Sequence, residues 1–230
     1  MRENRPFTSR LSRGQTVAAL VWLPVHVLVL PLGAALLWQR GLLGEVGVNV
    51  LVYAASALFL LLVLGSFFRR DFDALCERPL RVLGEVLLGY GLLIAGNLLV
   101  SAALRLFGLE DNPNNDAAID LARQSMGPVA ALTIFLAPIV EESLFRAGIF
   151  GSIRHRNRAA AYIVSTLLFG VGHVYAYVIY DVKALLYLLQ YVPAGLVLAR
   201  CYERTDSIWG CVFLHMLNNA VSIWALSAAG

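Results

Sequence analysis

Apolar residues run along this chain in seven long stretches, separated by short segments of polar and charged residues. Each stretch reaches the length of about 20 residues that a helix needs to cross the hydrocarbon core of a membrane. Backbone polar groups inside lipid must find their hydrogen bonds within the segment, so these stretches should be helices. The pattern predicts an all-α fold, a polytopic membrane bundle of about seven transmembrane helices, at approximately 16–38, 45–68, 82–107, 126–153, 159–180, 182–200 and 207–228.

The composition supports a membrane protein and argues against nucleic-acid binding. Hydrophobic residues make up 59% of the 230 residues and charged residues only 14%, against about 25% charged in an average soluble domain. The formal net charge of +3 comes with basic residues clustered between apolar stretches, which is typical of membrane orientation. Cys76, Cys201 and Cys211 form no CxxC pair, so neither a disulfide framework nor a structural zinc site is indicated.

Every second connecting segment is rich in arginine. The basic positions are Arg2, Arg5, Arg10 and Arg13 before the first span, Arg69, Arg70, Arg78 and Arg81 after the second, Arg154, Arg156 and Arg158 after the fourth, and Arg200 and Arg204 after the sixth. The segments between them are poor in basic residues, and the one at 108–124 is an acidic loop. Because cytoplasmic loops carry the excess of Lys and Arg, the pattern predicts a cytoplasmic N-terminus and a C-terminus on the opposite side.

The acidic loop divides a single membrane domain into two regions. Residues 1–107 form an N-terminal three-helix membrane region with few polar groups inside its spans, among them His26, Glu85 and Asn97. Residues 126–228 form a four-helix core that carries nearly all the other polar groups. An ionisable side chain near the bilayer centre costs about 2.5–3.5 kcal/mol on insertion scales. We therefore expect the functional site in this core.

The fourth span carries two adjacent glutamates and an arginine. Glu142 and Arg146 are four residues apart and can pair on one helix face. Glu141 is rotated by about 100° from Glu142 around the helix. It therefore does not share the face of the Glu142–Arg146 pair and can make other contacts. Both glutamates could instead simply neutralise Arg146 near the cytoplasmic boundary.

The fifth and seventh spans each add a pair four residues apart, Phe169 with His173 and His215 with Asn219. Taken singly, these residues could be helix–helix contacts held by hydrogen bonds, which are common in membranes. Measured from the cytoplasmic end of its own span, however, Glu141 lies about 18 Å deep and His173 about 21 Å deep. On the same measure, His215 and Asn219 lie about 12 and about 18 Å deep. The overlap in depth predicts one buried polar site built by three helices.

Such a site has the parts for hydrolysis. A carboxylate and a histidine that share a water form a general base, and a second histidine with an amide supplies donors for a developing oxyanion. The sequence contains neither a Gly-x-Ser-x-Gly elbow nor a His-Glu-x-x-His segment, which argues against those serine hydrolases and the usual zinc metalloproteases. Two histidines and a glutamate could still bind zinc, so Glu141, His173 and His215 are also the alternative zinc ligands.

Three motifs follow one another in order: Glu-Glu-x-x-x-Arg at 141–146, Phe-x-x-x-His at 169–173 and His-x-x-x-Asn at 215–219. In these motifs the chain resembles, over roughly residues 126–220, the CAAX prenyl endopeptidase and bacteriocin-processing (CPBP, or Abi) family of glutamic intramembrane proteases. The resemblance implies that Glu141 activates water with help from His173. It also implies that His215 and Asn219 stabilise the tetrahedral oxyanion, and that no metal or other cofactor is required.

Glu142, Arg146 and Phe169 match supporting positions of the same motifs, and we expect the Glu142–Arg146 pair to hold the helix and tune Glu141. The resemblance implies a membrane-anchored protein or peptide as substrate, cleaved at the lipid bilayer, and the small chain is similar to members from the prokaryotic plasma (inner) membrane. A prenylated protein, a bacteriocin-like precursor and a C-terminal sorting tail are all open as substrates, and the sequence indicates no oligomeric state. It leaves open whether other polar residues line a substrate path, namely Glu85, Asn97, Gln190 and Tyr191.

Two non-proteolytic functions remain alternatives. Chains of Glu and His are also typical of transporters and proton relays, although transporters usually show inverted repeats and this sequence shows none. A membrane scaffold or immunity protein could carry the same residues without using them. The structural test is whether the carboxylate of Glu141 and the rings of His173 and His215 converge within about 10 Å, since direct or one-water contacts need close approach.

Overall fold

The computed structural model describes residues 7–106, 108–109 and 112–229, and this part of the chain is helical throughout, with no strand. Seven helices are long and apolar enough to cross a membrane, which confirms the predicted all-α fold and the number of spans. These seven helices are α1 (Arg13–Gln39), α2 (Glu45–Cys76), α3 (Pro79–Arg105), α5 (Met126–Arg154), α6 (Arg158–Val178), α7 (Val182–Thr205) and α8 (Ile208–Ala228). The remaining helix, α4 (Pro113–Gln124), is shorter.

The prediction that 108–124 is a loop is wrong for most of its length, because α4 occupies Pro113–Gln124. The side chain of Asn112 caps this helix by accepting a hydrogen bond from the backbone N–H of Asn114 at 3.0 Å. Pro113 takes the first helical turn, where its missing N–H costs nothing. Asp116 in the first turn and Arg123 in the last complement the helix dipole.

Four arginine-rich segments of the chain meet at one end of the bundle. The backbone N–H of Thr8 donates to Oδ1 of Asp206 at 2.7 Å, and Ser207 Oγ donates to the carbonyl of Asp71 at 2.8 Å. Arg158 pairs with Glu203 at 2.7 Å. The arginine-rich segments, which alternate with segments poor in arginine along the sequence, therefore lie together at one end of the bundle. That this end is cytoplasmic stays a prediction, and Arg2 and Arg5 lie outside the described residues.

The helices of the C-terminal half pack closely around α7. This helix contacts α3, α6 and α8, and a Cβ at Gly195 would lie 2.5 Å from Cγ2 of Thr166 on α6. Small residues allow this kind of close approach between membrane helices. Because α3 belongs to the N-terminal part of the chain, helices from both halves pack against one another. The division into two regions stays a prediction.

Helix α5 departs from regular α geometry where it carries the polar residues. It is π-helical at Leu132–Leu136 and again at Glu142–Phe150, so that the N–H of Gly151 bonds to the carbonyl of Arg146, five residues back. The π-helix is rare, and π-helical turns inside α-helices are frequent at functional sites. The glutamate pair stands at the junction, because Glu141 ends an α-helical turn and Glu142 begins the π-helical one.

Candidate active site

The carboxylate of Glu141 lies at the centre of the site, with each oxygen in a different environment. Glu141 is buried, with 6% of its surface exposed. Its Oε1 accepts a hydrogen bond from the hydroxyl of Tyr53 at 2.9 Å. Its Oε2 accepts none from any described residue and lies 3.7 Å from Nε2 of His173 and 4.0 Å from Nε2 of His215. Three helices thus converge well within the expected 10 Å.

The backbone of its own helix orients the ring of His173. Nδ1 of His173 lies 2.8 Å from the carbonyl oxygen of Phe169, one turn earlier. A carbonyl only accepts, so Nδ1 carries the hydrogen, and a neutral ring presents a lone pair at Nε2 toward Glu141. The ring of Tyr191 stacks on the same imidazole, with centroids 4.5 Å apart.

The ring of His215, like that of His173, is oriented through its Nδ1 atom, but by a different acceptor. Its Nδ1 lies 2.9 Å from Oε1 of Glu142. A carboxylate paired with an arginine is ionised and accepts only, so Nδ1 is the donor. Nε2 of His215 therefore also faces Glu141, as a lone pair when the ring is neutral and as a donor when it is protonated.

Glu142 and Arg146 form the expected ion pair, and both side chains are fully buried. Nε of Arg146 lies 3.2 Å from Oε2 of Glu142, but neither atom has an aligned hydrogen bond within the described residues. The contact is therefore one of charge rather than of directed hydrogen bonding. The guanidinium also lies 4.3 Å above the ring of Phe169, and this cation–π contact adds stabilisation.

Asn219 bonds to α5 rather than directly to Glu141. Its Nδ2 donates to the carbonyl oxygen of Thr133 at 2.9 Å. In the π-helical turn that contains Thr133, this carbonyl would accept from the N–H of residue 138, which is a proline and has none. Asn219 thus satisfies a carbonyl that Pro138 leaves without a partner, as neighbouring helices often do in membranes. An amide nitrogen carries two N–H groups, so one remains for another acceptor.

Sequence reasoning did not predict that the N-terminal helices would reach the site. Tyr53 on α2 binds Glu141, and the ring of His26 on α1 packs edge-on against Tyr53 with centroids 5.1 Å apart. His26 is itself held through Nδ1 by the hydroxyl of Ser56 at 2.8 Å. The only available signal was His26, a rare polar residue in an apolar span, since an isolated tyrosine in a membrane helix is common.

The polar residues suspected of lining a substrate path differ in position. Glu85 pairs with Arg200 at 2.9 Å, at the arginine-rich end of the bundle. Gln190 accepts a hydrogen bond from Asn112, whose side chain also donates to the hydroxyl of Tyr191 at 3.3 Å. Asn112 therefore fastens the start of α4 to the tyrosine that stacks on His173.

The donor types at Glu141, His173 and His215 are those that zinc accepts. Within the described part of the chain, however, no three His, Cys, Asp or Glu side chains are arranged to hold a metal ion. Zinc held by Glu141, His173 and His215 stays the alternative prediction.

Comparisons with known proteins point to the same part of the chain. Residues 124–221 match the family described as "Type II CAAX prenyl endopeptidase Rce1-like". A Bacillus subtilis (strain 168) protein named "Putative membrane peptidase YdiL" is 31% identical over 115 residues, which are 50% of this chain and 43% of the relative. The match thus spans less than half of that relative. No solved structure matches this chain. The family match contains all three motifs, and with the Bacillus relative it confirms that this part of the chain resembles the CAAX prenyl endopeptidase (CPBP) family.

Proposed function

We propose that this protein is an intramembrane endopeptidase of the glutamate type. The observation that carries the proposal is the position of Oε2 of Glu141. No described residue hydrogen-bonds to this oxygen, and it faces the Nε2 atoms of two histidines at 3.7 and 4.0 Å. A carboxylate oxygen left in this way inside a protein is available as a base for a water molecule.

Glu141 and His173 activate the water. One hydrogen of the water is donated to Oε2 of Glu141 and the other to the lone pair of His173 Nε2, so the oxygen lone pair points at the substrate. The water oxygen bonds to the carbonyl carbon while its proton passes to Glu141. Glu141 then gives this proton to the leaving nitrogen as the C–N bond breaks, which yields a carboxylic acid and an amine.

His215 and Asn219 stabilise the oxyanion of the tetrahedral intermediate. With Nδ1–H bonded to Glu142, a protonated His215 offers Nε2–H to the developing charge, and Glu142 faces the resulting positive ring. Arg146 balances the second oxygen of Glu142. Asn219 contributes the N–H that is not bonded to Thr133.

The substrate class follows from the site's surroundings and from the relatives. A base buried between membrane helices acts on a protein or peptide anchored in the bilayer. The matched family is described by its action on CAAX prenyl substrates, so a farnesylated peptide that ends in Cys-a-a-X is the first probe. The bacterial relative supports a location in a prokaryotic plasma membrane. We propose that the reaction needs no metal or other cofactor.

Cleavage and proton movement can be measured on the same proteoliposomes. Wild type and Glu141→Gln are reconstituted with a library of membrane-anchored peptides, with and without a farnesylated CAAX end, and products are identified by mass spectrometry. We expect cleavage of one or more peptides by wild type only. Proton flux without cleavage, detected by an enclosed pH dye, would support the transporter alternative. Stoichiometric zinc, with activity lost to a chelator and restored by zinc, would support the metalloprotease alternative.

A further inference from the structure

We propose that Tyr53 is a positioning residue that fixes which oxygen of Glu141 faces the two histidines. The inference rests on the proposed function and extends it to α2, outside the matched residues 124–221. It also gives the N-terminal helices a part in the chemistry.

The two oxygens of a carboxylate are chemically equivalent. The terminal torsion of a glutamate is broad and roughly two-fold, so nothing in the side chain itself decides which oxygen serves as the base. Tyr53 has a single hydroxyl proton, and it donates this proton to Oε1 of Glu141 at 2.9 Å. Oε2 is left toward His173 and His215. The hydrogen bond from Tyr53 thus ties Oε1 to α2 and leaves Oε2 as the oxygen available for the reaction.

Tyr53 is itself held by a neighbouring helix, α1, and by its own helix, α2. The ring of His26 on α1 packs edge-on against it. Ser56, one turn after Tyr53 on α2, is fully buried and holds Nδ1 of His26 at 2.8 Å. The hydroxyl of Tyr53 is therefore fixed by packing that does not involve the three motifs, and the carboxylate meets a donor already in place. Preorganisation of this kind raises the rate of the chemical step rather than the affinity for substrate.

A purely structural role makes a different prediction. Buried carboxylates need hydrogen bonds, and Tyr53 could serve only to satisfy Glu141 during folding. Loss of the hydroxyl would then lower stability, and the surviving folded enzyme would keep its kcat. The two roles are separated by kinetics on folded protein and by the vibrational spectrum of the carboxylate.

The test compares Tyr53→Phe with Tyr202→Phe. Tyr202 is fully buried and donates its hydroxyl to the carbonyl of Ser9 at 2.6 Å, so the control loses a buried hydroxyl at the arginine-rich end of the bundle. The reporter is the membrane-anchored peptide that wild type cleaves best in proteoliposomes. We expect Tyr53→Phe to lower kcat by about 10- to 100-fold, the range that a hydrogen bond to a charged group supplies. KM should stay within about twofold, and Tyr202→Phe should leave kcat unchanged.

Infrared difference spectroscopy tests the contact without any substrate. Wild type minus Glu141→Gln identifies the carboxyl bands of Glu141, and the same difference is recorded in the Tyr53→Phe background. We expect the bands to shift when the hydroxyl is removed. If Tyr53→Phe does not fold, 3-fluorotyrosine at position 53, a stronger donor, should shift them in the opposite direction and preserve kcat.

Each outcome decides the proposal. Unshifted bands overturn the contact, and an unchanged kcat with shifted bands overturns the positioning role. An equal fall in kcat for Tyr202→Phe would show that loss of any buried hydroxyl has this effect, and it overturns the positioning role of Tyr53. A wild type that cleaves no peptide overturns the proposed function and the catalytic role of Tyr53 with it, while the infrared shift still decides whether Tyr53 holds Glu141.

Discussion

Nδ1 of His215 lies 2.9 Å from Oε1 of Glu142, so the second glutamate of the adjacent pair, not the first, orients this histidine. The carboxylates of Glu141 and Glu142 therefore face different partners. Glu142 faces Arg146 and the far side of the His215 ring, whereas Glu141 faces the Nε2 atoms of both histidines. The Glu142–Arg146 ion pair is therefore connected to Glu141 through the ring of His215.

This relationship predicts strong coupling between Glu142 and Arg146 in stability. Removing one partner of a buried ion pair leaves an uncompensated charge and costs about 3–5 kcal/mol. We expect losses of that order for Glu142→Gln and for Arg146→Met, measured by thermal unfolding in one detergent. The double variant should be much less destabilised than the sum of the single variants. Strict additivity would show that the two side chains do not depend on one another.

Asn219 should have two separable roles. In Asn219→Ala the carbonyl of Thr133 loses its donor, which should cost about 1–3 kcal/mol of stability. Loss of an oxyanion donor should also lower kcat by about 10²- to 10³-fold. Adding Pro138→Ala supplies the missing backbone N–H, so stability should recover while kcat stays low. Joint recovery of both quantities would mean that Asn219 acts on structure alone.

The native cysteines offer a test of orientation. Cys76 is exposed at the arginine-rich end of α2, whereas Cys201 and Cys211 are buried. If that end is cytoplasmic, a membrane-impermeant maleimide should label Cys76 in inverted vesicles and not in intact cells. Asn115→Cys, at an exposed position on α4, should show the reverse. Labelling of Cys76 from outside intact cells would contradict the predicted orientation.

The sequence predicts the spans and the motif pairs because both depend on local repeats. Apolar length identified all seven membrane helices, and spacing by four residues predicted the Glu142–Arg146 contact. The capping signals of α4, Asn112 followed by Pro113, are present in the sequence, but apolar length alone does not predict a short helix in an acidic segment.

Contacts between distant helices could not be predicted in this way. Tyr53 and Glu141 are 88 residues apart, and helical periodicity states which residues share a face but not which helix packs against it. The bond from Asn219 to Thr133 depends on a π-helical turn at Leu132–Leu136, and no residue pattern specified that turn.

The proposed role of Glu141 Oε2 as the base is tested by measuring kcat/KM for Glu141→Gln in proteoliposomes. The matched control is Glu85→Gln, the same chemical change at a glutamate that pairs with Arg200 at the end of the bundle. We predict that Glu141→Gln folds as wild type does and loses about 10²- to 10⁴-fold in kcat/KM, the contribution of a general base, while Glu85→Gln retains its activity. A folded Glu141→Gln protein that cleaves the reporter at the wild-type rate would show that Glu141 is not the base.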